Sequence, residues 1–168
     1  MHWRDFEKQA PELAAFGRER IDATGLVLVG TLRRDGLPRI SPVEPLIVDD
    51  QLQLGMMHRS FKALDLLRDP RCLVQTTVRD REDLGGELKF RGLAAVIGDA
   101  GAIERYCQAL FEKINWRPGG QFHLFALDIE EATFLRYLDN GDQVVKSWRP
   151  GGPVEERVRH WAGGGLSD

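Results

Sequence analysis

Residues 26–48 read LVLVGTLRRDGLPRISPVEPLIV, and this stretch decides the fold class. Residues 26–32 are rich in side chains that favour strands, and Asp35-Gly36 follows with the residues of a tight hairpin turn. A second strand is predicted over 38–48, and Asp49-Asp50 then turns the chain into a third over 51–57. Because strands joined by such short turns pair antiparallel, the fold is built on an antiparallel sheet.

Five further strand patterns and three helical patterns extend this hairpin along the chain. The strands are predicted at 71–78, 87–97, 122–129, 132–138 and 143–148. The helices are predicted over 11–25, from Ser60 onward, and over 99–114, where apolar residues recur at helical spacing. Strands and helices do not alternate as in a Rossmann domain. The prediction is a mainly β (α+β) fold of six to eight antiparallel strands in a barrel or sandwich, with a few flanking helices.

Length and composition indicate one ordinary globular domain. The chain has 168 residues, of which 42% are hydrophobic and 29% charged, and one core suffices at that size. Residues 1–149 are assigned to this domain, and the glycine-rich segment 150–168 is assigned to a flexible tail. Cys72 and Cys107 lie in apolar patterns and are expected to be buried, reduced thiols.

Charge and hydropathy argue against several classes of partner. The net charge is −3 and no run of like charges occurs, so neither nucleic acid nor an anionic membrane is the expected partner. The longest apolar run falls far short of the roughly 20 residues of a membrane helix. The first residues contain no signal-peptide core. A cytoplasmic location is therefore expected.

Prolines at 38, 42 and 45 make the second strand unusual. Since each proline removes a backbone donor, the strand is expected at a sheet edge or where a barrel opens. Strand alternation places Arg39, Ser41 and Val43 on one face. A cation and a hydroxyl two residues apart suit a bound phosphate. The alternative is a plain edge strand with a solvated arginine.

A second candidate anion site begins where the third strand ends. MMHRSFK at 56–62 leads from that strand into a helix, so free backbone N–H groups and the positive end of the helix dipole meet there. Ser60 and Lys62 add a hydroxyl and an ammonium group to the same place. The alternative is an ordinary capped helix with surface cations.

The predicted hairpin brings these two segments together. Two cations and two hydroxyls are then expected around one terminal phosphate, from Arg39, Ser41, Ser60 and Lys62. Val43 and Met56 offer soft apolar contact to a flat aromatic ring. The sequence therefore predicts a site for a phosphate-bearing aromatic cofactor.

Several motifs occur in a fixed order along the chain and carry a family resemblance. They are GT at 30–31, DG at 35–36, PRISPV at 38–43, SFKALDL at 60–66, DPR at 69–71 and ELKFRG at 87–92. In this order they resemble the pyridoxamine 5′-phosphate oxidase-like superfamily of FMN-binding split barrels, well over 23–99 and weakly over 122–148. The resemblance implies a split β-barrel and a homodimer with two flavin sites across its interface.

The resemblance also assigns cofactor contacts by position. Those at the flavin ring and phosphate are Arg39, Ser41, Pro42 and Val43, with Gly55 and Met56 beside them. Those at the phosphate end are Ser60, Phe61 and Lys62. Glu87 falls near a position from which the partner chain contacts the flavin, and Trp148 corresponds to a late aromatic residue near the ring.

Two positions depart from the family pattern. Asp65 stands where the family helix often has asparagine, and its carboxylate would repel a phosphate that it faced. Glu87 stands in place of an amide and would repel the electron-rich edge of a flavin. The chain also lacks the C-terminal arginine-rich substrate motif of the vitamin-making oxidase, so oxidation of pyridoxamine phosphate is not the expected activity.

The leading hypothesis is an FMN-dependent oxidoreductase acting on a small-molecule substrate. The flavin itself performs such chemistry, so no catalytic acid or base is assigned. The deazaflavin F420 in the same groove is an alternative. Other classes are a non-catalytic flavin- or haem-binding protein, with His58 as the haem ligand, and a cofactor-free barrel. No metal site is expected, since the four histidines are far apart in sequence. The substrate pocket is expected between the loop at 79–86, the helix after Asp99 and the partner subunit.

Overall fold

The structure is a computed structural model that describes residues 1–79, 85–163 and 165–167. The helices of these residues are α1 (Trp3–Gln9), α2 (Pro11–Thr24), α3 (Phe61–Arg68) and α4 (Ala100–Ile114). The first six strands are β1 (Val27–Leu32), β2 (Pro38–Val43), β3 (Pro45–Val48), β4 (Gln51–Met57), β5 (Arg71–Thr76) and β6 (Glu87–Val96). The later strands are β7 (Phe122–Tyr137), β8 (Gln143–Trp148), β9 (Glu155–Trp161) and β10 (Leu166–Ser167).

The strands form one antiparallel sheet that does not close. Its order is β10-β9-β8-β7-β6-β5-β1-β2, and β4, which also pairs with β3, pairs with the first half of β7. Within the described residues, β2 pairs only with β1, so the barrel remains open between β2 and the β3–β4 hairpin. This architecture confirms the predicted fold class, a mainly β (α+β) antiparallel split barrel.

The second predicted strand is divided at Glu44, and the prediction of one strand over 38–48 is therefore wrong. β2 pairs with β1, whereas β3 pairs with β4 on the other side of the split. Proline at 42 and 45 explains the break, because neither residue has a backbone N–H for a continuous ladder. The prolines thus mark the place where the barrel opens.

The two strands predicted at 122–129 and 132–138 are one bent strand, β7. The bend lies opposite a register shift between Arg91 and Gly92 of β6. A Cβ atom on Gly92 would stand 2.1 Å from the carbonyl oxygen of Asp128. Only glycine permits this close approach, so the bulge and the bend form together.

Part of the segment 150–168, which the sequence assigns to a flexible tail, is a strand in the structure. Residues 155–161 form β9, which pairs with β8 from Gln143↔Arg159 to Ser147↔Glu155. Most β9 side chains are exposed, so backbone hydrogen bonds to the edge of β8 hold the strand in place. The segment therefore lacks the apolar alternation by which a strand is recognised in sequence.

The core lies between the sheet and the two N-terminal helices. Trp3 and Phe6 of α1 pack edge-to-face against Phe90 of β6, with ring centroids 5.7 and 5.5 Å away. Phe6 also packs against Trp148 of β8, at 5.0 Å. These aromatic pairs join the start of the chain to its later strands, and α1 was not predicted.

Several local predictions are confirmed. Gly25 ends α2 in the left-handed conformation, with φ of 69°. The Asp99 side chain caps α4 by accepting a hydrogen bond of 2.7 Å from the Ala102 N–H. Cys72 and Cys107 are buried free thiols, and burial raises the pKa of Cys72 to about 12.

No helix among the described residues is long and apolar enough to cross a membrane.

Candidate functional site

A cavity of about 610 Å³ opens where the barrel is split. Its walls come from the end of β2, the end of β4, the first turn of α3, the inner face of α4 and the segment that follows α4. The lining residues are Leu26, Pro42, Val43, Glu44, Gly55, Met56, Met57, His58, Lys62, Tyr106, Leu110, Trp116, Pro118, Gly119, Gly120, Gln121 and Phe122. Most of these side chains are apolar or aromatic, as is usual for a cofactor pocket.

Five of the predicted cofactor contacts meet at this cavity: Pro42, Val43, Gly55, Met56 and Lys62. The Lys62 Nζ donates a hydrogen bond of 2.8 Å to the Pro42 carbonyl oxygen. This bond joins α3 to the interrupted strand β2. Desolvation lowers the pKa of Lys62. The lysine places one partly buried cation at the cavity wall, where it attracts an anion more strongly than in bulk water.

Ser60 lies at the N-cap of α3, as predicted, but its side chain makes no capping hydrogen bond. Its Oγ is buried and has no hydrogen-bond partner among the described residues. A buried hydroxyl without a partner is costly. Ser60 itself does not line the cavity, whereas Lys62, two positions further along the chain, does.

Arg39 and Phe61 do not line the cavity. They line a neighbouring pocket, and the Arg39 guanidinium lies 5.1 Å from the centre of the Phe61 ring. The Arg39 Nε donates a hydrogen bond of 2.7 Å to Oδ2 of Asp65, which is only 4% exposed. The structure therefore separates the two predicted cations, with Lys62 on the cavity and Arg39 on the pocket beside it.

The position of Asp65 resolves one departure from the family pattern. Its carboxylate accepts hydrogen bonds from Thr31 Oγ1 and Arg39 and pairs with Arg68. Burial alone would raise the pKa of Asp65, but the hydrogen bonds from Arg39, Thr31 and Arg68 and the charge of Arg39 lower it below its ordinary value. Asp65 faces these partners and is absent from the cavity wall.

Three other predicted contacts lie away from the cavity wall. Ser41 is half-buried on β2, opposite Val29. Glu87, on β6, accepts a 2.8 Å hydrogen bond from Gln75 and forms an ion pair with Lys89. Trp148 is 1% exposed and packs in the core. The cavity of one chain thus contains only part of the predicted set.

The resemblance places Gly55 beside the cofactor, and in the structure its backbone is also closely approached by Tyr106 of α4. A Cβ atom at this position would lie 2.2 Å from the Tyr106 Oη, so the glycine accommodates a side chain of α4. Burial raises the pKa of Tyr106 to about 12, with Glu44 contributing through its charge. Tyr106 remains a neutral hydrogen-bonding group at the cavity wall.

Sequence reasoning missed several residues of the site. The helix after Asp99, expected beside a substrate pocket but given no cofactor contact, supplies Tyr106 and Leu110 to the cavity wall. Gly119, Gly120 and Trp116, none of which is predicted to belong to a site, also line the cavity. The sequence signal for this wall is Trp116, two positions before PGG at 118–120 and shortly after a helix. The expected contribution of the loop at 79–86 falls largely on 80–84, outside the described residues.

His58 and His123 are brought together although they are 65 positions apart. Their rings stack with centroids 5.2 Å apart and an angle of 13° between planes. The cause is the pairing of β4 with β7, in which Met56 stands opposite His123. His58 lines the cavity, and the His123 Nε2 is buried without a hydrogen-bond partner among the described residues. Those residues contain no group of three or more metal-ligating side chains.

Similarity to known proteins is found by comparison of structures, and comparison of sequences finds no match. No protein-family model and no curated protein matches it. A protein from Listeria innocua, provisionally named pyridoxamine 5′-phosphate oxidase, is 17% identical and superposes with a TM-score of 0.60, over 73% of this chain and 98% of that one.

Two further solved structures carry haem in their names. A heme binding protein from Mycobacterium smegmatis is 16% identical with a TM-score of 0.61, over 80% of this chain and 57% of that one. HutZ, the heme storage protein from Vibrio cholerae, is 20% identical with a TM-score of 0.56, over 73% of this chain and 90% of that one. Identities this low establish the fold alone. The chain has the split-barrel fold of pyridoxamine 5′-phosphate oxidase-like proteins, as its motifs predicted.

Proposed function

We propose that the chain binds FMN in the 610 Å³ cavity and works as an oxidoreductase. The observation that carries this proposal is the position of Lys62 on the wall of a largely apolar cavity, where its ammonium group is partly buried. The apolar walls suit a flat ring system, and the lysine ammonium group suits a phosphate. The bound flavin would supply hydride or electron transfer.

The protein's own residues would bind and orient the cofactor. Val43 and Met56 would contact the ring, while Trp116 and Tyr106 would exclude water from its surroundings. Lys62 has two Nζ protons beyond the one that it donates to Pro42, and these would bind the phosphate. None of these groups is assigned to the transfer of a proton.

The test is retention of FMN after gel filtration, measured from the flavin absorption bands. We expect wild-type protein to retain FMN and Lys62→Gln to bind it about tenfold more weakly or worse, because a charged hydrogen bond is lost. Lys8→Gln is the control, since Lys8 is exposed and pairs only with Asp5 in the described residues. Equal FMN affinity in Lys62→Gln and wild-type protein would contradict the proposal.

Haem is the second candidate cofactor, and the observation that favours it is the stacked histidine pair. His58 lies on the cavity and His123 supports its ring. Two proteins of this fold are named for heme binding and heme storage. Adding haemin should give a Soret band that His58→Ala shifts or removes, whereas His160→Ala, a change in an exposed histidine paired with Asp142, should not. An unchanged Soret band in His58→Ala excludes His58 as a ligand.

We also propose that two copies pair through the outer face of the sheet. Ile40 of β2 and Leu73 of β5 both stand opposite Gly30 of β1, which places them in one row on this face. Ile40 is 70% exposed in the single chain, and Leu73 is also exposed. A second copy would cover this apolar row, and the family resemblance supports that occupant.

A further inference from the structure

A second pocket, of about 540 Å³, lies between the β1–β2 turn and α3, and the proposed cofactor function makes no use of it. Its lining residues are Arg33, Arg34, Asp35, Arg39, Phe61, Leu64, Asp65 and Arg68. Four guanidinium groups stand against two carboxylates, an excess of two positive charges on a chain whose net charge is −3. The pocket therefore carries a local excess of positive charge, although the chain as a whole is negatively charged.

Asp65 holds Arg39 in one orientation toward this pocket. The buried carboxylate accepts the Arg39 Nε–H at 2.7 Å, and the guanidinium carbon lies over the Phe61 ring, 5.1 Å from its centroid. Among the described residues, no group accepts a hydrogen bond from either Nη of Arg39. An arginine fixed at Nε, with its Nη edge unused, is ready to donate two parallel hydrogen bonds to an oxyanion.

Of the other three arginines of the pocket, two form ion pairs or hydrogen bonds with described residues and one forms neither. Arg68 pairs with Asp65 and donates to the Leu32 carbonyl oxygen. Arg33 forms a 2.9 Å ion pair with Asp35. Arg34 lines the pocket without an ion pair or hydrogen bond to any described residue. Arg34 and Arg39 are thus the donors that remain for a ligand.

The pocket also has an apolar side. Phe61 is 73% exposed, although one face of its ring lies against Arg39. Leu64, one helical turn further along α3, is also partly exposed. The exposed ring of Phe61 offers a stacking surface to an aromatic base.

We propose that this arginine pocket binds a ligand with the chemistry of a nucleoside diphosphate, at a site separate from the cofactor cavity. The diphosphate would lie against Arg34 and Arg39, and the base would stack on Phe61. Two adjacent phosphates match two arginines with unused donors, and the exposed aromatic ring matches the base. The site requires neither flavin nor haem, so this proposal can be tested independently of the proposed function.

The experiment is calorimetric titration of the whole chain with ADP, pyrophosphate and adenosine at low ionic strength. We expect ADP to bind more tightly than pyrophosphate, and adenosine to bind most weakly. Arg34→Gln and Arg39→Gln should each lower ADP affinity about tenfold or more. Arg136→Gln, a change in an exposed arginine of β7 outside the pocket, should leave it unchanged. Phe61→Ala should reduce the affinity for ADP to that for pyrophosphate.

Two further measurements separate this site from the cofactor cavity. Lys62→Gln should retain ADP binding, and saturating FMN should not displace ADP. Loss of ADP binding in Lys62→Gln, or displacement of ADP by FMN, would overturn the separate site. Undetectable ADP binding, or unchanged binding in the surface variant Arg34→Gln, would overturn it as well and leave the FMN proposal intact.

Discussion

Arg39 and Asp65, 26 positions apart in sequence, are joined by a hydrogen bond of 2.7 Å between Nε and Oδ2. The bond ties the start of β2 to the buried side of α3, and Thr31 of β1 donates to the same Oδ2 at 3.0 Å. One carboxylate thus connects two strands and a helix beside the split of the barrel. It also gives Arg39 an intramolecular partner where the resemblance assigns a cofactor phosphate.

We expect Asp65→Asn to lower the free energy of unfolding by about 1–3 kcal/mol. The substitution removes the charge that two arginines face and leaves the side chain buried. Denaturant unfolding at neutral pH measures the change. Asp22→Asn is the control, because Asp22 pairs with Lys113 at the surface and should change stability by less than about 1 kcal/mol. Equal stability of the two variants would show that the buried network contributes little.

The contribution of Asp65 should disappear in acid. Because the pKa of Asp65 is lowered in the folded chain, its stabilisation is fully present above the unfolded value of about 3.9 and is lost as the pH falls through the lower folded pKa. The stability difference between wild-type protein and Asp65→Asn should therefore be constant from neutral pH to about pH 5 and shrink near pH 3. Urea unfolding of both proteins across this range tests the sign. A difference that grows in acid would contradict it.

Gly55→Ala should destabilise the protein by about 1–3 kcal/mol, because the new methyl group would overlap the Tyr106 hydroxyl. Tyr106→Phe removes that hydroxyl, so the double variant should recover part of the loss. Recovery stays incomplete, since the Tyr106 Cζ would also stand only 2.9 Å from the added atom. A double-mutant cycle by thermal or denaturant unfolding measures the coupling, and strict additivity would contradict this packing account.

Trp148→Phe should lower stability and leave FMN binding unchanged. Trp148 packs on Phe6 in the core, with a ring centroid distance of 5.0 Å, so the smaller ring leaves a void costing about 1–3 kcal/mol. Its Nε1 has no hydrogen-bond partner among the described residues, so no such bond is lost. Parallel measurements of unfolding and FMN affinity separate the two roles. A large loss of affinity at unchanged stability would support the contact that the resemblance assigns.

Leu73→Glu should convert a dimer into a monomer, because a charge would enter the apolar row beside Ile40 and Gly30. Gel filtration with light scattering gives the mass of each species. Phe111→Glu serves as the control, since Phe111 is a similarly exposed residue on α4, away from the sheet face. A wild-type protein that is monomeric at high concentration would refute the pairing.

Arg39 and Lys62 show how much of the site could be predicted from the sequence. PRISPV and SFKALDL predicted the strand, the turn into α3 and the neighbourhood of Arg39 and Lys62. Sequence does not state which way a long side chain turns. Lys62 faces the cavity and Arg39 faces Asp65, because a buried carboxylate on α3 attracts the nearest guanidinium. Asp65, noted as a departure, was the residue that decided this.

The sequence by itself determined the β1–β2 hairpin, the helix caps at Gly25 and Asp99, and the incomplete pairing of the proline-containing strand β2. Each of these follows from local backbone chemistry: a positive φ, a capping carboxylate or a missing N–H. Only the tertiary structure decided the stacking of His58 on His123, the approach of Tyr106 to Gly55 and the strand at 155–161. Those features arise from pairing between segments distant in sequence, which no local pattern of residues encodes.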